Sequence, residues 1–138
     1  MIPIRIVIPG PPVAKGRPRF SRGRAYTPAK TRRGEIDIGW LAKQAMIGRK
    51  IIAGPVTALI EVGVPVPTKS WSVAKRRKIA ISGVLWPTGK PDLDNVAKLV
   101  LDAINKIVFN DDAQVIELRV LKFYAASPST NVTVNVIE

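Results

Sequence analysis

Five of the six aspartates in this 138-residue chain fall between positions 92 and 112: Asp92, Asp94, Asp102, Asp111 and Asp112, with only Asp37 outside that window. Lys plus Arg number 22 against 10 Asp plus Glu, a formal charge of +12, so the clustering of acids calls for a cause. Two carboxylates about 4 Å apart repel by roughly 4 kcal/mol at an effective dielectric near 20. A divalent cation between them reverses that sign. Oxygen-only donors select Mg2+, with Mn2+ as a substitute, over zinc or copper. The chain has no His and no Cys, which excludes a His or Cys zinc site, a His general base and a cysteine nucleophile. A hard cation held by these acids would acidify bound water and stabilise charge on a phosphate; a tyrosine nucleophile is disfavoured, because neither Tyr26 nor Tyr124 lies beside the acidic cluster in sequence. Proton removal then falls to a carboxylate such as Asp111 or to solvent, and no small-molecule cofactor is expected.

Each acid also has a quieter reading. Asp94 suits a helix cap, and Asp94, Lys98, Asp102 and Lys106 form an i,i+4 charge ladder worth about 0.2–0.5 kcal/mol per pair. Asp111 and Asp112 suit a turn. One carboxylate suffices for a cap, however, whereas Asp92-x-Asp94 offers two ligands beside the positive end of a helix dipole.

The cations are segregated too. Lys15, Arg17, Arg19, Arg22, Arg24, Lys30, Arg32 and Arg33 follow one another with no acid between them, and Lys75, Arg76, Arg77 and Lys78 make a second cluster. Phe20, Tyr26 and Trp71 place aromatic surfaces among these charges. Arginine suits phosphates that must be gripped in a fixed geometry, so both clusters are candidate DNA-binding surfaces. Gly16, Pro18 and Gly23 make the first a loop rather than a helix. The bland alternative is a solvated face that promotes solubility.

These groups must be positioned by the elements between them. Ile2, Ile4, Ile6 and Ile8 alternate with Pro3, Arg5 and Val7 as in a strand, which stops at Pro9-Gly10-Pro11-Pro12. Thr27-Pro28 looks like a helix start, and the helix predicted from 28 to about 51 has Ile36, Trp40, Ile47 and Ile51 near one face, weakened by Gly34, Gly39 and Gly48. A strand spans 56–66, with Pro65 and Pro67 suggesting a sheet edge. A short helix capped by Ser70 or Ser72 carries Lys75–Lys78 to Ile81 and closes at Gly83. Val96, Val100, Ile104 and Ile107 recur at helical spacing over 94–107. A turn at Asn110–Asp112 leads to a strand over 114–124, then to a last strand through Val132, Val134 and Val136, the two read as a C-terminal β-hairpin. The expected fold is α+β, one domain over 1–138 with a mixed β-sheet and three helices. The prolines at 9, 11 and 12 break any signal-peptide core, and no apolar run approaches the ~20 residues of a membrane span. A soluble cytoplasmic protein that contacts no membrane is expected.

The run Lys90-Pro91-Asp92-Leu93-Asp94-Asn95-Val96-Ala97-Lys98, followed by Asn110-Asp111-Asp112-Ala113-Gln114-Val115, resembles the signature of RusA-type Holliday junction resolvases. Lys15-Gly16-Arg17-Pro18-Arg19 and Gly23-Arg24-Ala25-Tyr26-Thr27-Pro28 are similar to the N-terminal part of many members. The resemblance implies a RusA-like fold in which Asp92, Asp94 and Asp112 hold a catalytic Mg2+ with Lys98 as an essential cation beside them. It also implies a homodimer, of bacterial or phage origin, that resolves four-way or branched DNA by paired nicks in recombination and repair.

Geometry limits how the acids can meet. A helix over 94–107 is about 20 Å long, and five extended residues reach about 17 Å. Asp112 therefore meets Asp94 within one chain only if the helix ends early, near Asn105, and the chain turns straight back. That is the expectation, and otherwise a partner subunit supplies Asp112. Two competing readings stay open. One is a restriction-endonuclease-like nuclease built on Pro91-Asp92 and Glu117-Leu118-Arg119, and the other a basic DNA-binding protein without catalysis.

Overall fold

The computed structural model describes residues 2–67, 72–83 and 85–138. In chain order the elements are β1 (Ile4–Pro9), β2 (Arg19–Ser21), β3 (Arg24–Tyr26), α1 (Ala29–Ala45), β4 (Val56–Pro65), α2 (Val73–Ser82), α3 (Leu93–Ile104), a 3-10 turn (Asp112–Gln114), β5 (Val115–Ala125) and β6 (Ser129–Val136). Three helices and a mixed sheet make an α+β fold, as the alternating and helical patterns foretold. Among the described residues, no helix is long and apolar enough to cross a membrane.

The main sheet has the order β1-β6-β4-β5, with β6 antiparallel to both neighbours and β5 parallel to β4. The expected C-terminal β-hairpin is absent, because β4 lies between β5 and β6. Nor is β4 an edge. Its residues Val56, Ala58, Ile60, Val62 and Val64 are buried, and a strand so apolar gains most when paired on both sides. Pro65, which lacks an N–H, is tolerated because it is the strand's last paired residue. The connection from Ala125 to Ser129 must step over the end of β4, and Gly63 lets it pass. A Cβ at Gly63 would stand 2.9 Å from the Ser129 carbonyl oxygen and 3.0 Å from the Ala125 Cβ.

One face of the sheet carries α1 and α3. Ile4 and Ile6 of β1, the buried residues of β4, and Val132 and Val134 of β6 meet Ile38 and Ala42 of α1 and Val96, Leu99, Val100, Ala103 and Ile104 of α3. Phe109, just after α3, is fully buried beneath them. The face of α1 that packs inward differs from the apolar face read from the sequence. It presents Thr31, Gly34, Ile38, Gly39 and Ala42, while Ile36, Trp40 and Ile47 are exposed. Gly34 and Gly39 cost helix propensity, yet they admit close neighbours. A Cβ at Gly34 would lie 3.0 Å from Val13 Cγ1 and 3.4 Å from Leu99 Cδ2, and one at Gly39 would lie 3.5 Å from the Ala103 carbonyl oxygen. The helix ends at Ala45 rather than near 51, where Gly48 turns the chain at φ 75°.

α2 has the expected ends: Ser72 Oγ accepts from the Lys75 N–H at 3.2 Å, and Gly83 adopts left-handed backbone. Ser70 and Trp71 lie outside the described residues. Gly63→Ala should destabilise the fold by about 1–3 kcal/mol through overpacking. The change should appear as a lower urea midpoint at unchanged slope. Gly54→Ala, where a Cβ would meet nothing within 4 Å, should leave the midpoint within error.

Candidate active site

The site is built on the first turn of α3. Asp92 occupies the N-cap position with extended backbone but makes no side-chain capping bond. Its carboxylate lies 3.0 Å from Lys90 Nζ. Asp94 follows in the first turn, and Lys98 sits one turn further along the same face; all three side chains are exposed. The helix thus starts without help from either carboxylate, which removes capping as their reason for being there. Asp94 and Lys98 make no hydrogen bond or ion pair with other described residues.

The loop that delivers Asp92 is held from the sheet. Lys122, on β5, donates to the Gly89 carbonyl oxygen at 2.6 Å and to the Pro91 carbonyl oxygen at 3.1 Å; the Lys90–Pro91 peptide is cis. Beside this loop opens a cleft of about 580 Å3, whose lining includes Gly16, Arg17, Arg19, Lys30, Lys90 and Pro91 and no acidic residue. Four cations thus flank the segment carrying Asp92, an arrangement suited to a phosphate backbone.

The second acidic group lies elsewhere. α3 ends at Ile104, as early as the compact arrangement required, but Asp112 does not come back to Asp94. The acids acting on the Asp112 carboxyl are Asp111 and Asp102. Asp102 lies two turns beyond Asp94, about 12 Å along the axis. No three acids converge closely enough among the described residues to hold a metal ion. The expectation that one chain assembles the set is therefore corrected: α3 is a rigid spacer, and the loop after it folds over its far end.

That loop is pinned by a reciprocal capping arrangement. Asp111 Oδ1 accepts from the Ala113 N–H at 3.1 Å, and the Gln114 side-chain oxygen accepts from the Asp111 N–H at 2.8 Å. The Gln114 amide donates to the Ile52 and Gly54 carbonyl oxygens at 2.9 and 2.8 Å. Asp111 is thus a turn residue, and Gln114 fastens the turn to the chain ahead of β4. The Ala113 N–H, then the contact with Asp112, hold the Asp111 carboxyl below its ordinary range. Asp112, hydrogen-bonded to Asp111 and partly desolvated beside its charge and that of Asp102, is pushed above it.

The basic residues divide into groups. Residues 19–26 form a small hairpin rather than a loop: Arg22 and Gly23 take positive φ between β2 and β3, the geometry of a two-residue hairpin turn. It displays Arg19, Phe20, Arg22 and Arg24 to solvent, with Arg17 just before it. Lys15 leaves the DNA-facing set, because its ammonium pairs with Asp102 and with Glu35, the latter at 3.3 Å. Asp102 is accordingly committed to Lys15 rather than to the helix ladder. Arg32 and Arg33 lie exposed on α1, and Arg33 stands 3.9 Å from Asp37. Lys75, Arg76, Arg77 and Lys78 all belong to α2, with Lys75 and Lys78 exposed.

A family model for the RusA endodeoxyribonucleases matches residues 9–135. The chain belongs to the RusA family. It is also similar to the uncharacterised protein YqaN of Bacillus subtilis (strain 168), with 38% identity over 135 residues covering 95% of this chain and 94% of that protein. RusA membership makes this chain one of a family of DNA-cutting enzymes.

Lys122 went unread in the sequence because nothing local links it to residues 89–91. Within the RusA signature Gln114 was legible as part of the motif, but its clamp on Ile52 and Gly54 was not. Lys122→Met should cost on the order of 1 kcal/mol by leaving two carbonyls without their charged donor. Amide exchange over 90–94 should then quicken about fivefold. In carboxyl-detected NMR titration, Asp112 should titrate above the ordinary value near 3.8 and Asp111 below it. Asp111→Asn should bring Asp112 back down, because its hydrogen-bonding and repelling neighbour is then neutral.

Proposed function

We propose that this protein is a Mg2+-dependent endonuclease that resolves four-way DNA junctions by paired nicks in opposing strands. It acts as a homodimer in which Asp92 and Asp94 of one subunit are joined by Asp112 of the other. The observation that carries this reading is the division of the acids. Two exposed carboxylates, Asp92 paired with Lys90 and Asp94 without a partner among the described residues, project from the start of α3 beside a cationic cleft, and the third acid of the RusA signature is held at the opposite end of the same helix. The donors are all oxygens, which suits Mg2+ or Mn2+, and since one chain does not gather all three, in this reading a second copy supplies Asp112. Two symmetric cuts likewise call for two sites related by a two-fold axis.

In this reading a bound cation supplies Lewis-acid stabilisation of the phosphate and acidifies water. The chain's own residues do the rest. Arg17, Arg19, Lys30 and Lys90 hold the strand along the cleft. Lys98, one turn from Asp94, offsets charge building on the scissile phosphate. Lys122 keeps the segment ahead of Asp92 from drifting, and the Asp111–Gln114 turn presents Asp112.

Subunit mixing tests this directly. Asp92→Asn and Asp112→Asn should each bind four-way junctions but fail to cut them in Mg2+. After free exchange of subunits, about half the dimers are mixed and each contains one intact composite site. Nicking should then return to roughly a quarter of the wild-type rate. No recovery would return Asp112 to its own chain's site, and wild-type protein that leaves the junction uncut in Mg2+ would end the nuclease reading altogether.

A further inference from the structure

The cleft beside the Asp92 segment is cationic only at its rim. Arg17, Arg19, Lys30 and Lys90 are exposed there, while four prolines and Ala14 make up most of the remaining lining. Of these, Pro12, Ala14, Pro28 and Pro91 are half-buried. The arm produces the division by alternation. Val13 turns inward against Gly34, and Lys15 turns inward to Asp102 and Glu35. Pro12, Ala14 and Gly16 line the cleft instead, as successive side chains of extended chain point to opposite sides. Small apolar groups thus form a floor, and the cations begin at Arg17.

That floor suits a phosphate poorly. Its prolines have no N–H to donate, and the Gly16 N–H is already given to Thr31 Oγ1 at 2.9 Å. It is also held in shape: a Cβ at Gly16 would stand 3.3 Å from the Pro28 ring, and Lys122 grips the Pro91 carbonyl from the sheet. At about 580 Å3 the cleft has the size of pockets that take a small organic ligand, roughly 300–1,000 Å3.

We propose that the cleft takes a nucleobase that has left the stack of the bound DNA. The flat base lies on the proline rings, and its flanking phosphates lie on the rim cations. On the nuclease reading above, from which this follows, the base belongs to the strand being cut. A base inside a duplex has both faces covered and cannot reach an apolar floor, whereas an extruded one can. Extrusion costs least where stacking is already interrupted, as at the exchange point of a four-way junction. Phosphate contacts alone are the same on a junction and on linear duplex. A floor that only an unstacked base can cover tells them apart.

2-Aminopurine, which brightens on leaving the stack, reads this event directly. It replaces one base at a time around the exchange point of a four-way junction, with saturating protein and EDTA to prevent cutting. At one position the wild type should raise emission about threefold or more. Ala14→Leu fills the floor without altering a charge and should reduce that rise to about half or less at saturation. Ala14→Val takes its place if the leucine variant does not fold. A junction that brightens at no position would overturn the proposal, as would a folded, filled variant that brightens it as much as wild type does. Wild type that cuts in Mg2+ without brightening would remove the base subsite and leave the nuclease reading standing. Brightening that is lost on filling, in a protein that never cuts, would do the opposite.

Discussion

The rigid rod of α3 is the constraint on which the rest depends. Its apolar stripe, Val96, Leu99, Val100, Ala103 and Ile104, is pressed against the sheet and α1, so its two ends cannot move relative to the core without losing burial. Roughly 1.5–3 kcal/mol rides on each large side chain in that stripe. A helix so fixed sets Asp92 and Asp94 at one end and the loop holding Asp112 at the other. The distance between them is a property of the fold, not of a mobile loop. In the proposed reading, that separation is why the enzyme acts as a pair.

Around this rod the fold uses tight approaches in place of bulk. Gly34 and Gly39 bring α1 against α3, and Lys15 joins the arm to Asp102 of α3 and Glu35 of α1. The Lys15 backbone N–H also reaches the Asn95 carbonyl oxygen at 3.0 Å, and the Gly16 N–H reaches Thr31 Oγ1 at 2.9 Å. The root of the basic arm is thereby fastened to the helix that carries the acids. Its arginines project from that root along a cleft ending at Lys90 and Pro91. Cations and carboxylates that are distant in sequence are held at one place because α3 is common to both.

Much of this was legible in the residues. Alternation located β1, β4 and β6, Ser72 and Gly83 bounded α2, and Asp92-x-Asp94 marked the start of α3. The errors share a cause, which is that pattern reports a residue's own preference and not its neighbours. Alternation in 114–124 and 131–136 is the same whether the strands pair with each other or flank β4. Ile36 and Trp40 look like a core stripe until Gly34 and Gly39 are seen to win the inner face by admitting closer packing. Eight cations without an acid look uncompensated along the chain, yet Lys15 meets Glu35 and Asp102 across 20 and 87 positions.

The passage of the 126–128 connection over Gly63 bears on how the chain reaches this form. β5 and β6 are adjacent in sequence, and such neighbours ordinarily zip early as a local unit. Here β5 finds its partner on β4, which precedes it by some fifty positions, and β6 pairs with β4 and with β1 at the start of the chain. Large loops must therefore close before any strand of the C-terminal third is satisfied, and contact formation of that kind is slow. Until β4 is in place, β5 has no strand partner and β6 can pair only with β1, and unpaired strand edges of this kind expose a nascent chain to aggregation.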